Sequence, residues 1–521
     1  MAFSLQTHYD VVIVGGGHNG LVAAAYLSRA GKRVLVLERR AYLGGAAISE
    51  QAFPGVEVRL SAYAYLVSLL PQQIIQDLGL RLETRQRRFA SYTPLTDGSD
   101  GYLVSNQSTE TTRQSFERIA GNSREFDAFH HFYSRTAALA KLLWPTVLAP
   151  LPSRAELLQK FDTPELRTMW DHFIERPLGE VIESTFQDDL VRGLVFTDGK
   201  IGALTHPHDP TLVQNRTFLY HVIGNGTGEW RVPVGGMGAL TASLTDVAGR
   251  SGATLLTDAE VQRVHVGTPH EVEFEWQGQA HKVAASFVLV NATPHVLGEL
   301  VGADHPKPNG SVFKINMVLK RLPRLRAGHI APEDAFSGTF HFREGYAAMQ
   351  ASYQEAANGE IPAQPPGEMY CHSLTDDTIM GESAKGLYTL TMFGLDMPYN
   401  ALRGYASLYK KVALERYLDG INSVLAEPIQ DCLALDADGK PCIAAKSPLD
   451  LEAELAMSGG NIFHTDLQWP FAEKEEEVGT WGVETPYPKV YLCGAGARRG
   501  GGVSGIAGHN AARAVLAAEH Q

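Results

Sequence analysis

Cysteine is scarce in this chain. Its 521 residues hold four, Cys371, Cys432, Cys442 and Cys493, and none stands in a Cys-x-x-Cys pair. That spacing excludes a thioredoxin-like redox motif and a zinc ribbon. Few, unpatterned thiols fit a reducing compartment. Positive charge is also short: 45 Lys and Arg face 58 Asp and Glu, a net charge of -13. A nucleic-acid partner would want a basic face, and none is implied. Bulk attraction to anionic lipid is disfavoured in the same way. No uninterrupted apolar run approaches the roughly 18 residues of a membrane span. Met1 to Tyr9 lacks the charged-then-apolar order of a secretory leader. There is no internal repeat and no low-complexity tract. The expectation is a soluble cytoplasmic protein, with room for a local apolar patch in peripheral contact with a membrane.

What is present starts at once. Asp10-Val11-Val12-Ile13-Val14 runs into Gly15-Gly16-Gly17-His18-Asn19-Gly20, then an apolar helix-period stretch from Leu21 to Arg29. Val34-Leu35-Val36-Leu37 follows and ends on Glu38. Strand, Gly-rich turn, helix, strand and terminal acid make a dinucleotide-binding βαβ unit. Gly15 is expected to make the tight turn, Gly17 to let backbone approach a pyrophosphate, and Gly20 to let helix pack on strand. The helix N-terminus would face the phosphate charge. Glu38 is placed to accept hydrogen bonds from an adenosine ribose. Leu43-Gly44-Gly45-Ala46-Ala47 adds a second Gly pair, which suits a long dinucleotide such as FAD.

Together these features resemble the FAD-dependent amine oxidase and phytoene desaturase superfamily. Gly235-Gly236-Met237-Gly238 before a helical pattern strengthens the resemblance. So does the C-terminal run from Val490 to Gly496, followed by Gly500-Gly501-Gly502-Val503-Ser504-Gly505. The stretches Thr197–Ala203, Phe218–Gly224 and Gly459–His464 narrow it to the pyridine nucleotide-disulphide oxidoreductase domain-containing protein 2 group and carotene ketolase-like bacterial relatives. The resemblance implies an α/β fold: a Rossmann-type FAD-binding domain assembled from three chain segments, with an α+β substrate domain formed by two inserts. The expected boundaries are 1–75, 226–302 and 466–521 for the FAD domain. Residues 76–225 and 303–465 would form the substrate domain, the first insert mainly helical.

It further implies non-covalent FAD. To the glycines and Glu38 it adds His18, Asn19, Arg39, Gly44, Gly45 and Ala46 as cofactor contacts. Val261 would grip the adenine ring through its backbone, and Asn291 closes a strand at the same site. Gly494, Gly502 and Val503 would meet the flavin, with a helix starting near Val503 aimed at its pyrimidine edge.

The chemistry implied is removal of a hydride from a substrate C–H or C–N bond to flavin N5, by desaturation, dehydrogenation or isomerisation of a largely apolar, carotenoid-like or other lipophilic substrate. The electron acceptor is left open among O₂, quinone and others. Two rivals stand beside it: an amine or polar-substrate oxidase using O₂, and a non-catalytic flavoprotein interaction module. Four residues are candidates for the chemistry. Lys314 shares one strand face with Asn316, opposite Phe313, Ile315, Met317 and Leu319, and faces either cavity or solvent. His221 could accept a proton. Arg498 and Arg499 replace a His-Pro that many relatives carry before the last glycine run; two guanidiniums there would favour anionic reduced flavin or an anionic substrate group, or else both point to solvent or pair with local acids. Thr205-His206-Pro207-His208-Asp209 has metal-like spacing but no further partner motif, so no metal is expected. The apolar stretch Ala137–Leu148 reads as a core helix or the rim of a lipophilic entrance.

Overall fold

The computed structural model describes residues 5–519; residues 1–4, part of the segment read for a leader, lie outside them. Two sheets organise the chain. The first has a parallel core in the order 254–256, 34–37, 8–14, 284–290, 490–492. Its strands are apolar on both faces, as parallel strands covered on both sides must be. Period-2 alternation sorts them. Val11, Ile13, Val34, Val36, Phe287 and Leu289 pack on the helices His18–Arg29, Met237–Arg250 and Ile506–Ala518. Val12, Val14, Leu35, Leu37, Val288 and Val290 face an antiparallel layer that contains Val264, Val272 and Phe274. That layer is the strands Ala259–His265 and His270–Trp276, which run into the long strand Gln279–Val290.

The second sheet has seven strands in the order 443–446, 313–319, 388–394, 367–370, 339–342, 89–94, 101–105. One face is a hydrophobic core: Phe313, Ile315, Met317, Phe340, Phe342, Met369 and Met392 pack on Tyr417, Leu418 and Ile421 of the helix Ala406–Asn422. Lys314, Thr339, His341, Glu368, Tyr370 and Phe393 of the same strands turn the other way, into the cavity described below.

Residues 109–222 are helical, around an aromatic core of Phe116, Phe132, Phe161, Trp170, Phe173, Phe186 and Phe218. The apolar stretch at 137–148 enters this core through Leu139, Ala140 and Leu143, at the end of the helix Arg124–Leu143. The segment 76–225 also contains strands. The antiparallel strands Phe89–Pro94 and Gly101–Ser105 open the segment and extend the second sheet. Residues 463–471 also pack on the helical core, through Phe463, Leu467, Trp469 and Phe471.

Candidate functional site

One cavity of about 870 Å³ runs from the first sheet to the second. At its first end the Gly-rich turn does what the sequence pattern demands. Gly15 sits at φ +95°, and a Cβ there would stand 2.8 Å from the Asn291 carbonyl oxygen. A Cβ on Gly20 would meet the Gly15 carbonyl oxygen at 2.4 Å, so any side chain would push helix from strand. The second Gly pair docks onto the first: the Gly44 N–H donates to the Gly16 carbonyl at 2.8 Å. Asn291 fixes the turn from the far side, its Nδ2 donating to the Gly15 carbonyl at 3.1 Å. Gly494 lies against the Asn291 side chain.

Glu38 is buried at the end of its strand. Its Oε2 accepts from the Gly16 N–H at 2.8 Å and its Oε1 from the Arg40 N–H at 2.9 Å. Two backbone donors hold the carboxylate in one orientation, and its remaining lone pairs are free for hydroxyl donors. Gly15, Gly17, His18, Asn19, Glu38, Arg39, Gly45, Ala46, Val261, Asn291, Gly502 and Val503 all border the cavity. Gly20, Gly44 and Gly494 stand behind them. Val261 is at a register shift in its strand pair, where the ladder leaves backbone groups open. The helix expected from Val503 begins instead at Ile506, with Gly505 in the left-handed region as its cap. Residues 501–503 therefore meet the cavity as loop.

The fit to a dinucleotide can be tested on orphaned polar atoms. His18 Nε2, Asn19 Oδ1 and His464 Nδ1 are buried without a partner among the described residues. Burial pulls both imidazoles down to about 4, against opposing hydrogen bonds to the backbone of Gly502 and of Ala292. Both rings are neutral at neutral pH. A cradle of close backbone, a fixed acid and unsatisfied neutral polar atoms suits the hydroxyls and phosphates of a flavin dinucleotide.

The second end is built differently. Lys314 borders the cavity, so the solvent-facing alternative fails. Its Nζ donates to the carbonyls of Ser61, at 2.9 Å, and Tyr63, and lies 4.8 Å from the Tyr65 ring centroid. Burial holds its amine well below the usual lysine range. His221 ends the helix Val213–Val222 and stacks on Trp230 with ring centroids 5.3 Å apart. Its Nδ1 donates to the Thr217 carbonyl at 2.8 Å. A carbonyl can only accept, so in the neutral ring Nδ1 carries the proton and Nε2 keeps its lone pair.

Arg498 and Arg499 do not border this cavity, which corrects their expected place beside the flavin. Arg498 donates to the carbonyls of Trp469 and Phe471 and pairs with Glu473 at 2.8 Å and Glu477 at 3.0 Å. Arg499 is 1% exposed. Its Nη1 donates to the carbonyls of Thr146 and Ala149, both at 2.7 Å, and its Nη2 to that of Trp481 at 2.9 Å. Burial lowers its guanidinium to about 10. Both arginines bind together the ends of separate loops through their backbone carbonyls.

Sequence reasoning missed a set of buried ionisable groups on the second sheet and the helix beside it. Asp188 caps the helix Asp189–Phe196, which delivers Asp198 to the cavity wall. Lys200, fully buried, anchors that turn through Asp396 at 2.8 Å and the Thr205 carbonyl at 3.1 Å. Burial raises the Asp198 carboxyl, against the opposing pull of His221. Arg87 is buried, donates to Thr339 Oγ1 at 2.9 Å and lies 5.7 Å from the Tyr370 ring centroid. Burial and then Glu344 push Glu368 up to about 8. Burial works against a charged His341, yet Glu344, with Glu368 and Asp198 behind it, keeps its imidazole above the usual range. Only Asp198 and His464 lay in stretches with a visible signal. Arg87, His341 and Glu368 had none.

Comparison with known proteins places this geometry. Residues 13–76 match the model of the NAD(P)-binding Rossmann-like domain. An uncharacterised protein of Mycobacterium tuberculosis is 46% identical, over 98% of this chain and 97% of its own length. Pyridine nucleotide-disulfide oxidoreductase domain-containing protein 2 of Mus musculus is 30% identical, over 98% of this chain and 94% of its own. Among solved structures, cyclohexylamine oxidase from Brevibacterium oxydans shares the fold with a TM-score of 0.56 at 15% identity, covering 98% of this chain and all of that one.

Proposed function

The chain belongs to the pyridine nucleotide-disulfide oxidoreductase domain-containing protein 2 family, and on that premise we propose that it binds FAD without a covalent bond and dehydrogenates an organic substrate held in the second half of the cavity. The substrate of this reading has an apolar body and a polar end. Leu66, Leu69, Val104, Phe129, Leu194 and Ile462 would surround the body, and Arg87, Asp198 and Glu368 would face the end. Bound FAD supplies a hydride acceptor at N5. His221 takes up the proton at Nε2, the atom that its bond to Thr217 leaves basic. Lys314 orients water or substrate beside it. No helix of the described residues is long and apolar enough to cross a membrane, so a lipophilic substrate would reach the cavity from solution or a membrane surface.

The observation that carries this reading is the continuity of one cavity from the Gly-rich cradle to His221. Acid precipitation of the purified yellow protein should leave FAD in the supernatant. Release of FMN, or of no flavin, overturns the cofactor assignment. Anaerobic mixing with candidate substrates should then bleach the flavin. Asp198 favours a second reading, oxidation of an amine with O₂. It is a cavity carboxyl with no hydrogen bond to the protein among the described residues, and would suit an ammonium head. Bleaching by amines alone would select it.

A further inference from the structure

We propose that His341, Glu344 and Glu368 form a site for one divalent transition-metal cation of the zinc class, with its open coordination positions on the substrate cavity. The ligand geometry does not depend on the substrate reading above; the role of the bound metal rests on it. It starts from strand register. Thr339–Phe342 and Gly367–Tyr370 run antiparallel, with His341 directly opposite Glu368. Such cross-strand pairs hold their Cβ atoms about 4.5–5.5 Å apart on one face. Here that face is the cavity side: both residues line it, while Phe340, Phe342 and Met369 point into the core.

The third residue is brought in by a turn. Arg343 adopts the left-handed region at φ 55°, uncommon for a long side chain, and its Nη1 is held by the Arg416 carbonyl at 3.1 Å. The turn sends the Glu344 carboxylate back to His341, with Oε2 2.6 Å from Nδ1. Gly193 makes room for it: a Cβ there would stand 1.8 Å from the Glu344 carbonyl oxygen. One donor atom from each of the three residues lies within 4.8 Å of the other two.

Two further observations point to a cation. Glu344 is 1% exposed, yet its Oε1 has no partner among the described residues. A buried carboxylate oxygen left unpaired is costly, and a metal ion would satisfy it. One imidazole and two carboxylates with an open side also match catalytic zinc sites, which keep three protein ligands and one free position. In tetrahedral geometry at about 2.0–2.1 Å, ligand atoms stand about 3.3 Å apart. Replacing the proton between His341 and Glu344 by the metal therefore requires a parting well under one ångström. Charge agrees. A bound metal needs its ligands deprotonated; the carboxylates of Glu344, Glu368 and the nearby Asp198 then outnumber Arg87 by two, which a dication beside neutral His341 balances. The metal would present an electrophile to a carbonyl, carboxylate or hydroxyl at the polar end of the substrate.

The test uses the flavin-loaded protein after dialysis against a chelator. Calorimetric titration with zinc chloride should fill one site. His341→Ala and Glu368→Gln should each weaken it at least tenfold, with flavin content kept. Glu368→Gln is nearly isosteric and decides the matter if His341→Ala does not fold. Substitution His208→Ala, at an exposed imidazole paired with Glu183, should leave the site unchanged. Absence of a stoichiometric site, or equal affinity in the wild type and Glu368→Gln, overturns the proposal and leaves the cluster as a proton-sharing network.

Discussion

At the cofactor end of the cavity the walls are mostly backbone and neutral side chains, Gly15, Gly17, Asn291, and His18 and His464 held uncharged, with Glu38 as an acid fixed by two backbone donors. At the substrate end they are ionisable side chains cut off from water: Arg87, Asp198, His341, Glu368 and Lys314. The first end binds by leaving room and offering fixed amide dipoles and neutral polar atoms that a ligand would satisfy. The second end carries charges whose comfort depends on one another. That dependence is what a site needs if it must move protons or hold a charged group in low dielectric.

The comparison breaks most openly at His221. If the substrate end carries the proton transfer, His221→Phe should lower turnover about 10²–10⁴-fold while flavin content stays the same. Turnover equal to the parent's would move the base elsewhere. Next is Arg499, assigned by geometry to neither end. Arg499→Met removes three guanidinium hydrogen bonds to backbone carbonyls and should cost about 2–4 kcal/mol of stability. A thermal or denaturant melt reads that, and the flavin midpoint potential should not move; a shifted potential would return the residue to the flavin's neighbourhood. At the cofactor end, Glu38→Ala should weaken FAD by about 1.5–3 kcal/mol, one to two decades, read by fluorescence titration of the apoprotein. Unchanged affinity would take the ribose away from Glu38.

The last test is with acid. His18 and His464 stay neutral down to about 4 in the folded chain, against about 6.5 unfolded. Their contribution to stability is full above 6.5. As pH falls from there toward 4 the unfolded chain takes up protons that the folded one refuses, and stability is lost. Melting temperature and FAD retention should decline across that window. His18→Asn with His464→Gln should flatten the decline; an unaltered slope would assign it to other groups.

The two ends also differ in how far the sequence reveals them. Gly15 to Gly20, Glu38 and the Gly44-Gly45 pair are neighbours in sequence because strand, turn and helix build the cradle locally. Their spacing is therefore readable. The Val490–Gly502 region was legible as a loop that reaches the cavity, but its arginines face elsewhere. Their partners, Thr146, Ala149, Trp469 and Trp481, come from distant segments that no motif connects to them. His341 and Glu368 meet only through the register of two strands separated by the helix Tyr346–Ala357. Lys314 was recognised as lying on a distinct strand face, but that face could be assigned to the cavity only when the carbonyls of Ser61 and Tyr63 were seen to meet it. Pattern tells which residues share a face; long-range pairing decides what the face looks at.

The parallel sheet, finally, has a consequence for how the protein is made. Its strand at 8–14 lies beside 284–290, and 284–290 waits for 490–492. At roughly 5–20 residues per second, about 25–95 s of translation separate the first strand from the last. During that interval the nascent chain carries an unfinished sheet edge, and the loop 501–503 that completes the cradle is still unmade. On the proposed reading, FAD is captured only after translation ends, and a truncated or stalled product should emerge without flavin.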